Sequence, residues 1–166
     1  KKKQTTWEDI RNALGNNEVA IEFTNIPRPM KLDSIQKLTG EPRYCALILK
    51  KSYDKPHLIE LCTEEQFDAI PDSSYYTSSR LYQLFWAPIS QEIGSASVVY
   101  YSPDRYMSSV AFENILSNEG KSISYDKQIV RVSSTSELVL DKTRKKGSNY
   151  VLIGGINYAM EKNDYV

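Results

Sequence analysis

Histidine is the scarcest of the catalytic side chains here: His57 is the only one, and any mechanism that needs an imidazole base from this chain must use it. Cysteine is nearly as rare. Cys45 and Cys62 are the whole complement, and they form no C-x-x-C pair, which excludes the zinc sites built on that spacing. An excess of charge of one sign is also missing, since 21 Lys+Arg against 21 Asp+Glu give a formal net charge of +0. Without a basic field there is nothing to hold a polyanion, and nucleic acid is excluded as an expected partner. Long apolar runs are absent and the mean hydropathy is -0.49, so no membrane-spanning helix is expected. The amino terminus, Lys1-Lys2-Lys3-Gln4-Thr5-Thr6, carries positive charge with no apolar stretch behind it, unlike a signal peptide. Its abrupt start on lysines reads as the boundary of a fragment.

What remains is a chain of globular character. Its 166 residues, 40% hydrophobic and 25% charged, suffice for one domain with a real core. Thr5 and Glu8 have capping-box spacing, and Trp7, Ile10 and Leu14 then fall on one face of a short helix ending at Gly15. Glu18 to Thr24 alternates Val19, Ile21 and Phe23 as a strand, with Pro27 and Pro29 expected to stop it. Tyr44 to Lys50 and His57 to Cys62 are apolar runs joined by a polar connection of hairpin length, and they predict an antiparallel pair. Thr63 and Gln66 form a second capping box for a short helix terminated by Pro71.

The stripe Tyr75, Tyr82, Phe85, Trp86, Ile89 and Ile93 predicts one long helix from about Ser73 to Ile93, kinked at Pro88 and stopped by Gly94. Ser97 to Tyr101 and Gln128 to Val132 read as further buried strands, and the stretch from Ser133 to Glu137 caps a helix through Leu140. After the basic turn Lys142 to Gly147 comes a last strand, Tyr150 to Ile153, running into Gly154-Gly155. Strands interleaved with helices predict an α/β layered domain with a mixed central sheet flanked by helices.

Little in this inventory is reactive. His57 and Cys62 lie five apart in one expected strand, which places them on opposite faces and, at about 3.3 Å per residue, roughly 17 Å apart. They form no dyad, and His57 reads as structural. Both cysteines sit in apolar strands and read as buried, reduced thiols, which implies a reducing compartment. Gly154-Gly155 lacks the flanking residues of a dinucleotide or phosphate loop and reads as a tight strand exit, while the lysines from 142 to 146 read as a solvated turn. No catalytic, cofactor-binding or metal-binding residue is assigned.

Several segments in order resemble the CHAT family, bacterial caspase-like cysteine peptidase domains usually carried behind tetratricopeptide repeats. Thr6 to Ile10 with Glu18 to Phe23 is similar to that family's opening helix and "AIEF" strand, and Tyr44 to Leu49 to its "Y-x-A-L-x-L" strand. Leu81-Tyr82-Gln83-Leu84-Phe85-Trp86-Ala87-Pro88-Ile89 resembles the "LY-x-L-hydrophobic-W-x-P" helix, the most specific stretch. Val99 to Asp104 with Val110 to Ile115 resembles the "SPDG…IPFE-x-L" hairpin, with Arg105 in place of the usual Gly and Ala111 in place of Pro. Val130 to Leu138 resembles the "R-hydrophobic-SST-x-EL" segment, and Leu152 to Tyr158 the "LYGG-x-x-Y" strand end.

The resemblance implies a caspase-like fold present here as the amino-terminal portion of one domain, residues 1–166, and incomplete. In the family the catalytic histidine lies in a "THG"-like segment and the nucleophile in a later strand, both downstream of the Gly-Gly strand. This chain has neither, and Cys45 and Cys62 match neither motif. The implied function is scaffold for a cytoplasmic cysteine peptidase acting on a protein or peptide. Expected partners are the missing carboxy-terminal catalytic segment and upstream tetratricopeptide repeats. A non-catalytic interaction module, a pseudo-peptidase, is the alternative, and a small-molecule site at Gly154-Gly155 is a third reading.

Overall fold

The structure, a computed structural model, describes residues 4–27, 30–32, 35–37 and 42–141. Helix α1 (Trp7–Ala13) starts at Thr6, whose side chain accepts from the Asp9 backbone while the Asp9 carboxylate accepts from Thr6. The capping box therefore sits one residue later than the Thr5/Glu8 spacing suggested. Asp9 is short enough to close the box from the third helical position, a role sequence patterns reserve for Glu or Gln.

Strand β1 (Glu18–Pro27) is longer than expected and keeps its ladder through Pro27, which lies opposite Pro42 at the end of the pairing with β4 (Pro42–Lys50). Proline is tolerated there because a strand end can omit a donor. A small separate hairpin joins β2 (Met30–Leu32) to β3 (Ile35–Lys37). Strand β5 (His57–Thr63) pairs antiparallel with β4, as the two apolar runs and their polar turn predict. Strands β6 (Val98–Ser102) and β7 (Gln128–Arg131) complete a mixed five-stranded sheet in the order β5-β4-β1-β6-β7, with β1, β6 and β7 mutually parallel. Together with its helices this is an α/β layered fold.

Two cores follow from strand alternation. Val19, Ile21, Phe23, Tyr44, Ala46, Ile48, Val99 and Tyr101 face a large cluster completed by Phe67, Phe85, Trp86, Ile89, Phe112 and others. On the opposite face Ala20 and Leu49 pack with Leu14, under Trp7 and Ile10 of α1 and Leu138 of α4 (Glu137–Asp141). Phe23 stacks on Phe112 at 5.1 Å between centroids, and Phe85 meets Phe67, Tyr44 and Phe112 edge-on at 5.3, 5.7 and 5.7 Å. Edge-to-face contacts of this kind add about 0.5–1.5 kcal/mol each beyond burial.

Helix α2 (Glu64–Asp68) carries the Thr63/Gln66 capping box as predicted. The single long helix expected from Ser73 to Ile93 does not form. Asp72–Ser74 is one 3-10 turn, and its last serine and the hydroxyls after it bond back to the backbone: Ser74 Oγ to Pro71 O at 2.8 Å, Thr77 Oγ1 to Ser73 O at 3.3 Å and Ser78 Oγ to Ser74 O at 3.0 Å. Such bonds offer the chain an alternative to the helix ladder. Regular winding also fails further on. Tyr82–Trp86 is a π-helical turn and Ala87–Ile89 a 3-10 turn before α3 (Ser90–Ile93). Pro88 explains the change, since it has no N–H to give and its ring would strike the Leu84 carbonyl in a regular helix. Gly94 ends α3 with φ 56°, as expected of a stop.

The segment after β6 also departs from the hairpin that the resemblance implied. Arg105–Ser109 and Phe112–Asn114 are 3-10 turns, and Val110 to Ile115 forms no return strand. The Ala111 N–H donates to Tyr76 Oη at 2.9 Å, while Tyr101 Oη donates to Glu113 at 2.7 Å, so side chains hold this segment over the core. The strand Tyr150 to Ile153, Gly154-Gly155 and the basic turn all lie outside the described residues. No helix among the described residues is long and apolar enough to cross a membrane.

Candidate functional site

In open α/β sheets the crevice beyond the carboxyl ends of the parallel strands is the usual place for a ligand. Here the parallel pairing ends at Glu22 in the middle of β1, at Ser102 on β6 and at Arg131 on β7, and these residues form a rim with the second half of β1 and the segments after β6 and β7. The Glu22 carboxylate accepts from Thr135 N at 2.6 Å, Thr135 Oγ1 at 2.7 Å and Ser134 Oγ at 3.2 Å. It therefore pins the start of α4 to the middle strand. Asp104 accepts from the Asn25 backbone at 2.6 Å, tying the loop after β6 to the end of β1, and Ser102 Oγ donates to Ser133 O at 3.0 Å. Arg131 donates to Ser108 O at 2.6 Å across a groove of about 450 Å³ lined by Pro103, Ser108, Arg131, Val132 and Ser133. Asn25 Oδ1 is buried beside this rim without a hydrogen-bond partner among the described residues.

These contacts join segments far apart in sequence. Glu22 belongs to the stretch Ala20 to Phe23, Asp104 to Ser102-Pro103-Asp104, and Thr135 to Ser133-Ser134-Thr135. The signal that could have found the rim was polar residues placed just after each predicted parallel strand. Which of them meet could not be read without the strand order.

The rim holds backbone groups, hydroxyls, the Glu22 and Asp104 carboxylates, the Asn25 amide and one guanidinium, and no thiol or imidazole. Cys45 and Cys62 are free and buried in the β4–β5 pair. Burial pushes the Cys62 thiol up to about 12, and burial with the Glu60 charge raises Cys45. Neither is a thiolate near neutrality, so neither is a competent nucleophile.

His57 and Cys62 share one face of the sheet, contrary to strict alternation. The register of β4 with β5 shifts between Tyr44 and Cys45, so that Tyr44 pairs with Cys62 but Cys45 with Glu60, leaving Leu61 as the extra residue. One bulged residue reverses the facing of everything beyond it. His57 pairs with Ile48 and Cys62 with Tyr44, four positions apart on β4, hence roughly 13 Å along the strand. No dyad forms.

His57 instead belongs to a cluster at the other end of the hairpin. Its ring stacks on Tyr53 at 4.1 Å, its Nδ1 lies 3.3 Å from Glu92 Oε2, and Tyr53 Oη donates to the same carboxylate. That hydrogen bond from Tyr53, with His57 and Lys50 nearby, holds Glu92 below its ordinary value, while burial and the Glu92 contact push Tyr53 up to about 12. The arrangement clamps the β4–β5 turn to α3. Among the described residues no group of three or more His, Cys, Asp or Glu side chains is placed to hold a metal ion. No family model, curated protein or solved structure matches this chain.

Proposed function

We propose that this chain is the scaffold portion of a caspase-like, CHAT-type cysteine peptidase domain whose catalytic histidine and cysteine are not among its own residues. One observation carries the reading: three of the segments that resemble the family's motifs, those holding Glu22, Asp104 and Thr135, meet where the parallel pairing of β1, β6 and β7 ends. Glu22 bonds Ser134 and Thr135, Asn25 bonds Asp104, and Phe23 stacks on Phe112. A peptidase built on this frame would use thiolate attack on a peptide carbonyl with a histidine base. This portion would supply the sheet, the rim and the groove against which an extended peptide lies. Two further facts support the assignment of scaffold and not catalyst: both thiols are buried and raised, and His57 is engaged with Tyr53 and Glu92. The expected setting is cytoplasmic, with tetratricopeptide repeats upstream and a protein or peptide as substrate.

The alternative class is a pseudo-peptidase that keeps the frame to bind a protein. Reading the coding frame past Val166 and expressing the longer product separates the two. The peptidase reading expects a His-Gly segment and a later cysteine whose replacement by alanine abolishes peptide turnover. A frame encoding neither overturns it in favour of the interaction module.

A further inference from the structure

Strand β5 is the last strand on its side of the sheet, and its outer edge has no strand partner among the described residues. Edges of this kind are normally blunted by proline, bulges or charge. Here the guards stand at the two ends and leave a window between them. Pro56 precedes the strand and the bulge at Leu61 interrupts it, so that His57 to Glu60 is the regular stretch. In the middle of the window Leu58 is 57% exposed, and its cross-strand neighbour Leu47 is 37% exposed. Both lie on the α1 face of the sheet, where the small core of Leu14, Ala20 and Leu49 stops short of them. The exposed pair is therefore an apolar strip running to the open edge.

The charges at the ends of the window decide what fits it. Exposed Lys51 and Lys55, with Asp54 between them, occupy the turn before β5, whereas exposed Glu60, which also pairs with Arg43, and exposed Glu65 lie on β5 and α2 at the other end. A strand laid antiparallel with the same sequence brings the basic end of each copy against the acidic end of the other. A two-fold axis perpendicular to the sheet also keeps Leu58 on the same face in both copies, so that it can meet its own equivalent.

We propose that the outer edge of β5 is a homodimer interface, in which a second copy of this chain pairs its β5 antiparallel with Leu58 on the two-fold axis. The two Leu47–Leu58 strips then join into one apolar patch, and Glu60 of the partner subunit falls opposite Pro56, one position from Lys55. The interface is isologous, so it closes at two copies and does not propagate. Pro56 and the bulge fix the register by limiting the pairing to a few residues. The proposal is independent of the peptidase reading.

Disulfide capture tests the register directly. Residues opposite one another in an antiparallel pair have Cα atoms about 4.5–5.5 Å apart, within the range of about 4.4–6.8 Å that a disulfide spans. Leu58→Cys in the full chain should therefore give a covalent dimer under mild oxidation, while Leu47→Cys and Glu65→Cys stay largely uncoupled. Native Cys45 and Cys62 are buried and contribute little background. Sedimentation of the unmodified chain should show a monomer–dimer equilibrium that weakens with salt, and Leu58→Lys should raise its Kd at least about tenfold by setting like charges opposite each other. A chain that sediments as a monomer at every concentration overturns the proposal. So does a Leu58→Cys variant that couples no faster than Glu65→Cys.

Discussion

Tyr44 carries a hydroxyl that is fully buried and has no hydrogen-bond partner among the described residues, and burial pushes its ionisation up to about 12. An unsatisfied buried hydroxyl costs about 1–3 kcal/mol, so Tyr44→Phe should leave thermal stability unchanged or raise it while the ring keeps its contacts with Phe67 and Phe85. A melting temperature that falls by several degrees would show that the hydroxyl has a partner. Glu92 offers a test in pH. Its folded value is lowered below the ordinary 4.5 by the Tyr53 hydrogen bond first and by His57 and Lys50 as well. Stability from a depressed carboxylate is fully present above its unfolded value and is lost as pH falls through the folded one. Glu92→Gln should destabilise the chain at pH 7 and flatten the loss of stability below about pH 4.5. Parallel acid-unfolding curves for the two proteins would contradict this. At this scale the sequence was partly legible: the Thr63/Gln66 box stood out by its spacing, whereas the Glu92 clamp joins residues 35 and 39 positions apart and leaves no local pattern.

At the scale of elements, the aromatic stripe is core. Phe85 is fully buried and Trp86 is 5% exposed, both within the large cluster. Trp86→Ala should cost about 3–5 kcal/mol, read as a large fall in denaturant midpoint or in yield. A variant that melts like the parent would place Trp86 at the surface. The stripe was legible, but the winding was not, because period analysis assumes a uniform helix while Pro88 and the serine-rich approach both perturb the backbone ladder. For α4, Glu22→Ala should remove the acceptor of Ser134 and both Thr135 donors, and amide exchange from Thr135 through Asp141 should accelerate. Protection unchanged in that stretch would mean that α4 is held by Leu138 packing alone. The bulge at Leu61 was equally hidden, since a run of apolar residues carries no mark of where alternation slips.

At the scale of the whole molecule, the mixed sheet followed from strands interleaved with helices along the chain and from near-continuous apolar runs such as Val98 to Tyr101. Strand adjacency did not follow, and the rim depends on it: Glu22 and Thr135 are 113 positions apart, and only the parallel placement of β1, β6 and β7 brings them together. That convergence is the basis of the scaffold reading, and its central claim is that this chain frames a catalytic site without furnishing the catalytic groups. A fluorogenic peptide-library assay on the purified 166-residue chain, run beside Cys45→Ala, Cys62→Ala and His57→Ala, tests it most directly. None of the four proteins should turn over peptide, and turnover by the parent that any one of these substitutions abolishes would contradict the scaffold reading.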